Sequence, residues 1–424
     1  METLQLDTGL FRTHADNGLT VLSEALPGVR SAAVGIWIRA ASAHELRSKM
    51  GVSHLLEHMV FKGTERRSAR QIALELEVRG GSLDAYTGRD HTSYQAHVLD
   101  NDLPVAVEIL TDLVRRPLLR ESDLVPERNV VLEEINGVLD TPDDLVFERL
   151  AETLWPAHPY GFSILGTAET VTALTAEDLK ARHQWGYYPA NVVVVAAGRV
   201  EHAELMELLE RQDWFEANDE SAPRASAPAA PAVHGVTHQE HKDTTQAHIV
   251  FATETFPYAD SRRHAMSILT NTFGGGMSSR LFQRIREELG LAYNVYAFQQ
   301  FYQSSGTCGV YIGTQPGTAD EAIQAIRREY DRLGREGLGP DETLDGKRQL
   351  KGQVILALET PHSRMGRLAS IELNGDKYRS VDEVLRTIDA VEEDDLADLA
   401  AEFWVPDRQT MVWLGPELPS PSAQ

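Results

Sequence analysis

Apolar and polar positions in the first part of the chain follow two different periods, which separate strands from helices. Residues 32–38 (AAVGIWI) are apolar in the manner of a buried strand, and residues 82–99 give a longer strand pattern. Between them, Ser68 followed by Gln71 forms a capping-box signature, and glycines follow at 80–81. The pattern predicts a helix between the two strands, beginning at Ser68 and ending at the glycines.

Two further helices are predicted downstream, one opened by Asp102 and one beginning near Val125, with Pro126 in its first turn. The second half repeats this order of elements, with a strand at 248–253, helices at 262–273 and 279–289, and strands within 292–312. Residues 217–233 (ANDESAPRASAPAAPAV) have the composition of a linker. We therefore predict an α+β protein with two tandem domains of one plan, 1–216 and 234–424, each a largely antiparallel sheet packed with helices.

Composition narrows the class of protein. A chain of 424 residues with 42% apolar residues fits two globular domains of about 200 residues each. The net charge of -24 disfavours nucleic acid and anionic lipid as partners. We expect no membrane segment, since no apolar run approaches the ~20 residues required. Residues 1–7 lack the features of a signal or transit peptide, and Cys308 is the single cysteine, so we expect a cytoplasmic protein.

The strongest chemical signal is the pentapeptide HLLEH at residues 54–58. On a helix, His54, Glu57 and His58 fall within one arc of about 100°. Neutral imidazole is the commonest protein ligand for zinc, and a carboxylate beside the metal can take a proton from metal-bound water. This face therefore predicts two metal ligands and the general base of a hydrolase.

A catalytic zinc takes three protein ligands, so one more must come from elsewhere. The helix predicted near Val125 carries Glu127 and Glu134, which are seven residues apart and share a face. By composition alone, Glu133 or an acid of the pair at 143–144 fits equally well. The residues themselves leave the third ligand open.

Three other features are interpreted as structural. The basic run after HLLEH is interpreted as a solvated loop and helix start; it comprises Lys62, Arg66, Arg67 and Arg70. Cys308 lies in a strand-like stretch and is interpreted as a small buried hydrophobe. Glycines 274–276 lack the ending of a phosphate loop, so they predict a flexible turn before a helix at Ser279. The second half has no HxxEH, and His264 stands where it would fall.

Three segments, HLLEHMVFKGT, GGSLDAYTGRDHTSYQAHVL and ERNVVLEEINGVLDTPDD, resemble the signature blocks of the insulinase/pitrilysin family of zinc peptidases, the inverzincins. The similarity points to the half-length branch, which includes the mitochondrial processing peptidase β subunit and bacterial relatives. By motif position, His54, His58 and Glu134 match the ligands of one zinc ion per chain. Glu57 matches the general base, and Glu127 matches an acid that supports the ligands.

The resemblance also implies substrate-binding residues. One strand segment binds the main chain of an extended peptide, and it matches Gly81, Ser82, Leu83, Asp84 and Ala85. Asp84 departs from the asparagine common in the family and adds negative charge there, although the main-chain contacts do not depend on it. Arg286 and Tyr293 match a pair that holds substrate and stabilises the developing oxyanion.

The function implied is that of a zinc metalloendopeptidase acting on short or unfolded peptides. The alternative is a noncatalytic peptide-binding or scaffold subunit, against which Glu57 argues, since a scaffold has no use for a base beside the metal. A structural zinc module is disfavoured because such sites prefer four ligands and cysteine. The resemblance further implies that the two domains form half of a clam-shell chamber. A homodimer whose active sites are completed by the partner chain is then expected, with a heterodimer as the rival.

Overall fold

The computed structural model describes residues 1–216, 225–233 and 235–416, and these contain two β-sheets. The strands of the first sheet are β1 (Glu2–Asp7), β2 (Leu10–His14), β3 (Thr20–Ala25), β4 (Ser31–Ile38), β5 (Ser82–Thr87), β6 (Thr92–Leu99) and β7 (Val192–Gly198). Their order is β1-β2-β3-β7-β4-β6-β5. Neighbours are antiparallel except β3 and β7, which are parallel.

The second sheet has five strands in the order β10-β11-β9-β12-β8. They are β8 (Thr237–His241), β9 (Ala247–Thr255), β10 (Ala292–Phe301), β11 (Gly306–Thr314) and β12 (Thr410–Gly415). Only β12 and β8 are parallel neighbours in this sheet. Two largely antiparallel sheets, each packed with helices, confirm the predicted α+β class with two tandem domains.

Fourteen α-helices lie within the described residues. They are α1 (Val52–Val60), α2 (Ala69–Glu77), α3 (Leu103–Arg115), α4 (Glu121–Asp140), α5 (Pro142–Leu154), α6 (Ala168–Ala173), α7 (Ala176–Gly186), α8 (His202–Glu210), α9 (Arg263–Gly274), α10 (Ala319–Glu336), α11 (Pro340–Ala357), α12 (Pro361–Leu373), α13 (Val381–Asp389) and α14 (Glu393–Phe403). A π-helical segment, Phe282–Glu288, follows α9. In the described part of the chain, none of these helices combines the length and apolar character needed to span a bilayer.

Contacts divide the chain into two compact units, each built from three segments. Unit 1 comprises Met1–Ile135, Phe162–Pro228 and Leu356–Tyr378; unit 2 comprises Asn136–Gly161, Ala229–Ile355 and Arg379–Gln424. Helix α12 thus belongs to unit 1 and α5 to unit 2, so each unit includes a helix from the other half of the sequence. The domain limits 1–216 and 234–424 stay a prediction; of the predicted linker, residues 217–224 lie outside the described residues, and residues 225–233 contain no helix or strand.

The sheet of unit 1 is covered on both faces, and the strand period explains why. Ile36 belongs to the apolar cluster that includes Leu55 of α1, whereas its neighbour Trp37 belongs to the cluster that includes Leu368 of α12. Successive side chains of a strand point to opposite faces, so β4 is apolar at nearly every position. Helix α1 is therefore held against a buried sheet on one face, and α12 covers the other.

Two predicted elements differ from the structure. The strand predicted at 82–99 is a hairpin of β5 and β6, whose turn is closed by a hydrogen bond from Gly88 N to His91 O of 2.9 Å. The helix predicted from Val125 begins at Glu121 instead, and Pro126 lies inside it. As the sixth residue of the helix it lies past the first turn, so it costs α4 one backbone hydrogen bond, the one to the carbonyl oxygen of Ser122. The capping box of Ser68 and Gln71 is confirmed, with α2 beginning at the next residue.

Two of the structural interpretations need correction. Arg67 is buried rather than solvated. Its guanidinium donates hydrogen bonds to the carboxylates of Asp112 at 2.8 Å and Glu75 at 2.7 Å. Residues 275–279 form the predicted turn, but Gly274 is the last residue of α9 and is required for packing, because a Cβ there would lie 2.3 Å from the backbone nitrogen of Ala297. The interpretation of Cys308 as a buried hydrophobe is confirmed, and burial raises the pKa of its thiol well above the usual range.

Candidate metal centre

Helix α1 carries the two histidines on the face opposite its apolar contacts. Leu55 and Leu56 are buried in the core of unit 1, while the rings of His54 and His58 lie side by side with their centres 4.5 Å apart. Helix α4 brings Glu134 to them, and its Oε2 lies 3.6 Å from the Nε2 of each histidine. The ligand atoms of the three residues all lie within 4.8 Å of one another, the only such group found among the described residues.

This donor set fits zinc. At Zn–N and Zn–O distances of about 2.1 Å, two ligand atoms of a tetrahedral site stand about 3.4 Å apart, close to the separation of Glu134 Oε2 from each imidazole. That oxygen is buried and has no hydrogen-bond partner among the described residues. Burial, aided by His58, lowers the pKa of His54 to about 3. The imidazole is therefore neutral at physiological pH, which is the form that binds a metal.

A second carboxylate orients His58. Its Nδ1 lies 2.9 Å from Oε1 of Glu127, and the other oxygen of Glu127 pairs with Nζ of Lys62 at 2.5 Å. A carboxylate on the outer nitrogen of a metal-binding histidine fixes the ring and its tautomer. The sequence predicted Lys62 in a solvated loop and did not predict its contact with Glu127. The overlooked signal was its position four residues after His58, just beyond the last turn of α1, which puts it near the histidine face of that helix.

Glu57 is buried beside the histidines, with 8% of the residue exposed. Its Oε2 accepts a hydrogen bond of 2.7 Å from Thr87 Oγ1, at the end of β5. Burial raises the pKa of Glu57, while the Thr87 bond and His58 oppose the rise. A carboxylate with a raised pKa is better suited to accept a proton and return it. Thr87 was missed because the contact joins residues far apart in sequence.

The segment expected to bind substrate lies at the end of the first sheet. Strand β5 begins at Ser82 and has β6 as its neighbour at the sheet margin. Its residues alternate between exposed and half-buried, as in an edge strand with one face toward the core. The carboxylate of Asp84 accepts a 2.9 Å hydrogen bond from the backbone N–H of Ala85. An edge strand offers main-chain groups to which an extended peptide can be added.

Arg286 and Tyr293 contact each other in unit 2. The guanidinium lies 4.6 Å from the centre of the Tyr293 ring, a cation–π distance, and Tyr293 is 78% exposed. The metal group belongs to unit 1. The part assigned to this pair in binding substrate stays a prediction.

Comparison with known proteins identifies the family. Residues 20–168 match the family described as "Insulinase (Peptidase family M16)", and residues 173–350 match "Peptidase M16 inactive domain". The chain belongs to peptidase family M16. The resemblance drawn from the three sequence blocks is thereby confirmed, and the metal group lies entirely within the first matched segment.

Relatives and solved structures agree along nearly the whole chain. A protein of Streptomyces coelicolor called an uncharacterized zinc protease is 36% identical over 398 residues, covering 92% of this chain and 86% of its own. A Bacillus subtilis protein, also called an uncharacterized zinc protease, is 34% identical over 93% of this chain and 96% of its own. A protease structure from Helicobacter pylori is 22% identical with a TM-score of 0.89, covering 96% of this chain and 99% of its own, and shows the same fold. The family and these names support a metallopeptidase.

Proposed function

We propose that this chain is a zinc-dependent metalloendopeptidase that hydrolyses short or unfolded peptides. The observation that carries the proposal is the convergence of His54, His58 and Glu134 within 4.8 Å beside a buried Glu57. The edge strand β5 supports it further, because Thr87 at its end touches the proposed base. The zinc-protease names of the relatives agree with this chemistry.

Each residue of the group has a distinct task in the proposed reaction. His54, His58 and Glu134 would hold one zinc ion per chain, which would polarise the scissile carbonyl and lower the pKa of the attacking water. Glu57 accepts the proton of that water and delivers it to the leaving amine. Thr87 occupies one carboxylate oxygen of Glu57, so the other oxygen is the one available for the proton.

The substrate is proposed to bind along the margin of the first sheet. Main-chain groups of the segment formed by Gly81, Ser82, Leu83, Asp84 and Ala85 would pair with an extended peptide, as in strand addition. Such binding requires a peptide without fixed secondary structure, which is why short or unfolded substrates are proposed. The negative charge of Asp84 favours a basic or neutral substrate side chain next to it.

We also propose that the enzyme works as a homodimer in which Arg286 and Tyr293 of one copy complete the site of the other. The support is the family resemblance, since full-length members build their chamber from four domains and this chain has two. Because this chain carries both the metal set and the Arg/Tyr pair, two identical copies suffice. A heterodimer with a second gene product is the alternative.

The test of the peptidase proposal is Glu57→Gln. Glutamine keeps an oxygen that can accept the Thr87 hydrogen bond but cannot take a proton, so zinc content should stay equal to wild type. Turnover of a peptide library should fall by ~10²-fold to 10⁴-fold. Glu133→Gln, on the exposed side of α4, is the matched control and should keep full activity.

Cleavage should also stop when a chelator removes the metal and resume when zinc is returned. Comparable cleavage by Glu57→Gln, with zinc bound, would refute the assignment of the base. A noncatalytic subunit, the alternative function, would bind the peptides without cleaving them in either protein.

A further inference from the structure

Helix α1 begins without a side-chain cap of its own. Its N-cap residue is Gly51, in the left-handed region with φ of +86°, where an added Cβ would lie 2.5 Å from the carbonyl oxygen of Leu165. A side chain at this position is therefore excluded, and the usual cap from serine, threonine or aspartate is missing. The first backbone N–H groups of the metal-binding helix need another acceptor.

Glu45 supplies that acceptor from six residues upstream. Its Oε2 accepts from Gly51 N at 2.9 Å, and its Oε1 accepts from Ser53 N at 2.8 Å. The side chain is buried, with 5% of the residue exposed. A carboxylate held by two amides at a helix start also interacts favourably with the helix dipole.

Arg182 of α7 also contacts the start of α1. Its Nε donates to Ser53 Oγ at 3.1 Å, and its two terminal nitrogens donate to the backbone carbonyl oxygens of Ala41 at 2.7 Å and His44 at 3.2 Å. Its guanidinium also lies 4.6 Å from the centre of the Trp185 ring. The fork geometry of arginine makes these contacts together, so both the helix start and the chain leading to it are fixed.

The two metal-binding histidines differ in how they are oriented. The Nδ1 of His58 is bonded to Glu127, whereas the Nδ1 of His54 is buried with no hydrogen-bond partner among the described residues. His54 is the residue directly after Ser53, in the first turn of α1. Its placement therefore depends on where the helix begins, and the helix start is the place that Glu45 and Arg182 contact.

We propose that Glu45 and Arg182 are positioning residues that hold His54 in its metal-binding orientation, doing from the start of α1 what Glu127 does for His58 from its end. The inference rests on the zinc site of the proposed function. It adds to that function that two residues outside the metal group set its affinity. Neither residue contacts the metal ligands' side chains through any hydrogen bond found in the described part of the structure.

The test uses the full chain stripped of metal, with zinc and cobalt ions as probes. Glu45→Gln leaves one carbonyl oxygen and turns an NH2 group toward a backbone N–H, so it breaks one of the two caps. We expect the zinc dissociation constant, measured by chelator competition, to rise about tenfold, at the lower end of the effect of residues that support metal ligands. The absorption spectrum of the cobalt-loaded protein should change as well, because it reports ligand geometry.

The matched control is Glu372→Gln. Glu372 is a half-buried carboxylate, with 10% of its side chain exposed, beside Arg39 in the same unit, but it lies on α12, on the opposite face of the sheet. It should lower the free energy of unfolding without changing zinc affinity or the cobalt spectrum. Should Glu45→Gln fail to fold, Arg182→Lys replaces it, since lysine keeps the charge and loses the fork of hydrogen bonds.

The possible outcomes distinguish a failure of the positioning role from a failure of the proposed zinc peptidase function. If wild type binds zinc and the Glu45 or Arg182 variant binds it equally well, the positioning role is refuted and the peptidase proposal stands. The positioning role is also refuted if the Glu45 or Arg182 variant loses no more zinc affinity than Glu372→Gln does when the two proteins are equally destabilised. If wild type itself binds no zinc, both the proposed function and this inference fall.

Discussion

Replacing Glu134 by alanine tests the proposed metal site most directly, because this residue is the proposed third ligand and lies on a different helix from the histidines. The side chain is 41% exposed, so truncating it should change the free energy of unfolding by no more than about 0.5 kcal/mol. The effect should fall almost entirely on the metal. Loss of one ligand of three should exceed the ~10–100-fold effect of residues that only support a ligand, which means at least about 3 kcal/mol of zinc binding free energy.

Two other glutamates of α4, Glu133 and Glu127, should affect zinc affinity to different degrees. Glu133 is exposed and about 100° round the helix from Glu134, so Glu133→Ala should bind zinc as wild type does. Glu127 holds the outer nitrogen of His58, so Glu127→Ala should weaken binding by ~10–100-fold. The zinc dissociation constant should therefore be lowest and equal in wild type and Glu133→Ala, higher in Glu127→Ala, and highest in Glu134→Ala.

Chelator competition with the metal-free proteins measures all four constants, and urea unfolding of the same samples checks that stability is unchanged. If Glu133→Ala bound zinc weakly and Glu134→Ala bound it as wild type does, the ligand on α4 would be Glu133, one residue before the proposed one. Equal affinity in all four proteins would refute the three-ligand site altogether.

Two further predictions address assembly and pH. Glu57→Gln and Tyr293→Phe proteins, each weak alone, should recover about a quarter of wild-type activity when coassembled at random, because half the dimers are mixed and each has one intact site. No recovery despite measured subunit exchange would refute sites shared between chains. Burial and Arg182 lower the pKa of His44 to about 4, so the unfolded chain takes up this proton first and stability falls as pH drops from 6.5 toward 4. His44 alone should account for a loss of about 2 kcal/mol between pH 7 and pH 5 in urea unfolding, and an unchanged slope in His44→Gln would contradict this.

The grouping of the candidate metal ligands on α1 was predictable because its signals are local. His54, Glu57 and His58 share one helix face by their spacing alone, and the helix itself is fixed by an apolar face that the sequence displays. Choosing Glu134 over Glu133 required family resemblance, since periodicity favours a face without naming the residue that reaches the metal. The structure then brings Glu134 to the histidines, and Glu133 stays exposed.

The contacts that support the site were not predictable from local pattern. Thr87 to Glu57 and Arg182 to Ser53 join residues 30 and 129 positions apart, and nothing in the periodicity of either segment marks them. Arg67 was misjudged for the same reason, because its acidic partners come from two other helices. The hairpin at 82–99 did carry a local signal, the polar segment of residues 88–91 that begins with Gly88, and the prediction of one continuous strand overlooked it.

Helix α12 constrains how the protein can be made. Trp37 is 1% exposed because residues 361–373 cover its face of the first sheet. During synthesis, the ribosome releases the seven strands of that sheet long before it releases this helix. The nascent chain therefore presents an uncovered apolar face until translation passes residue 373. Incomplete products that stop near the middle of the chain keep that face open and become targets for chaperones and quality-control proteases.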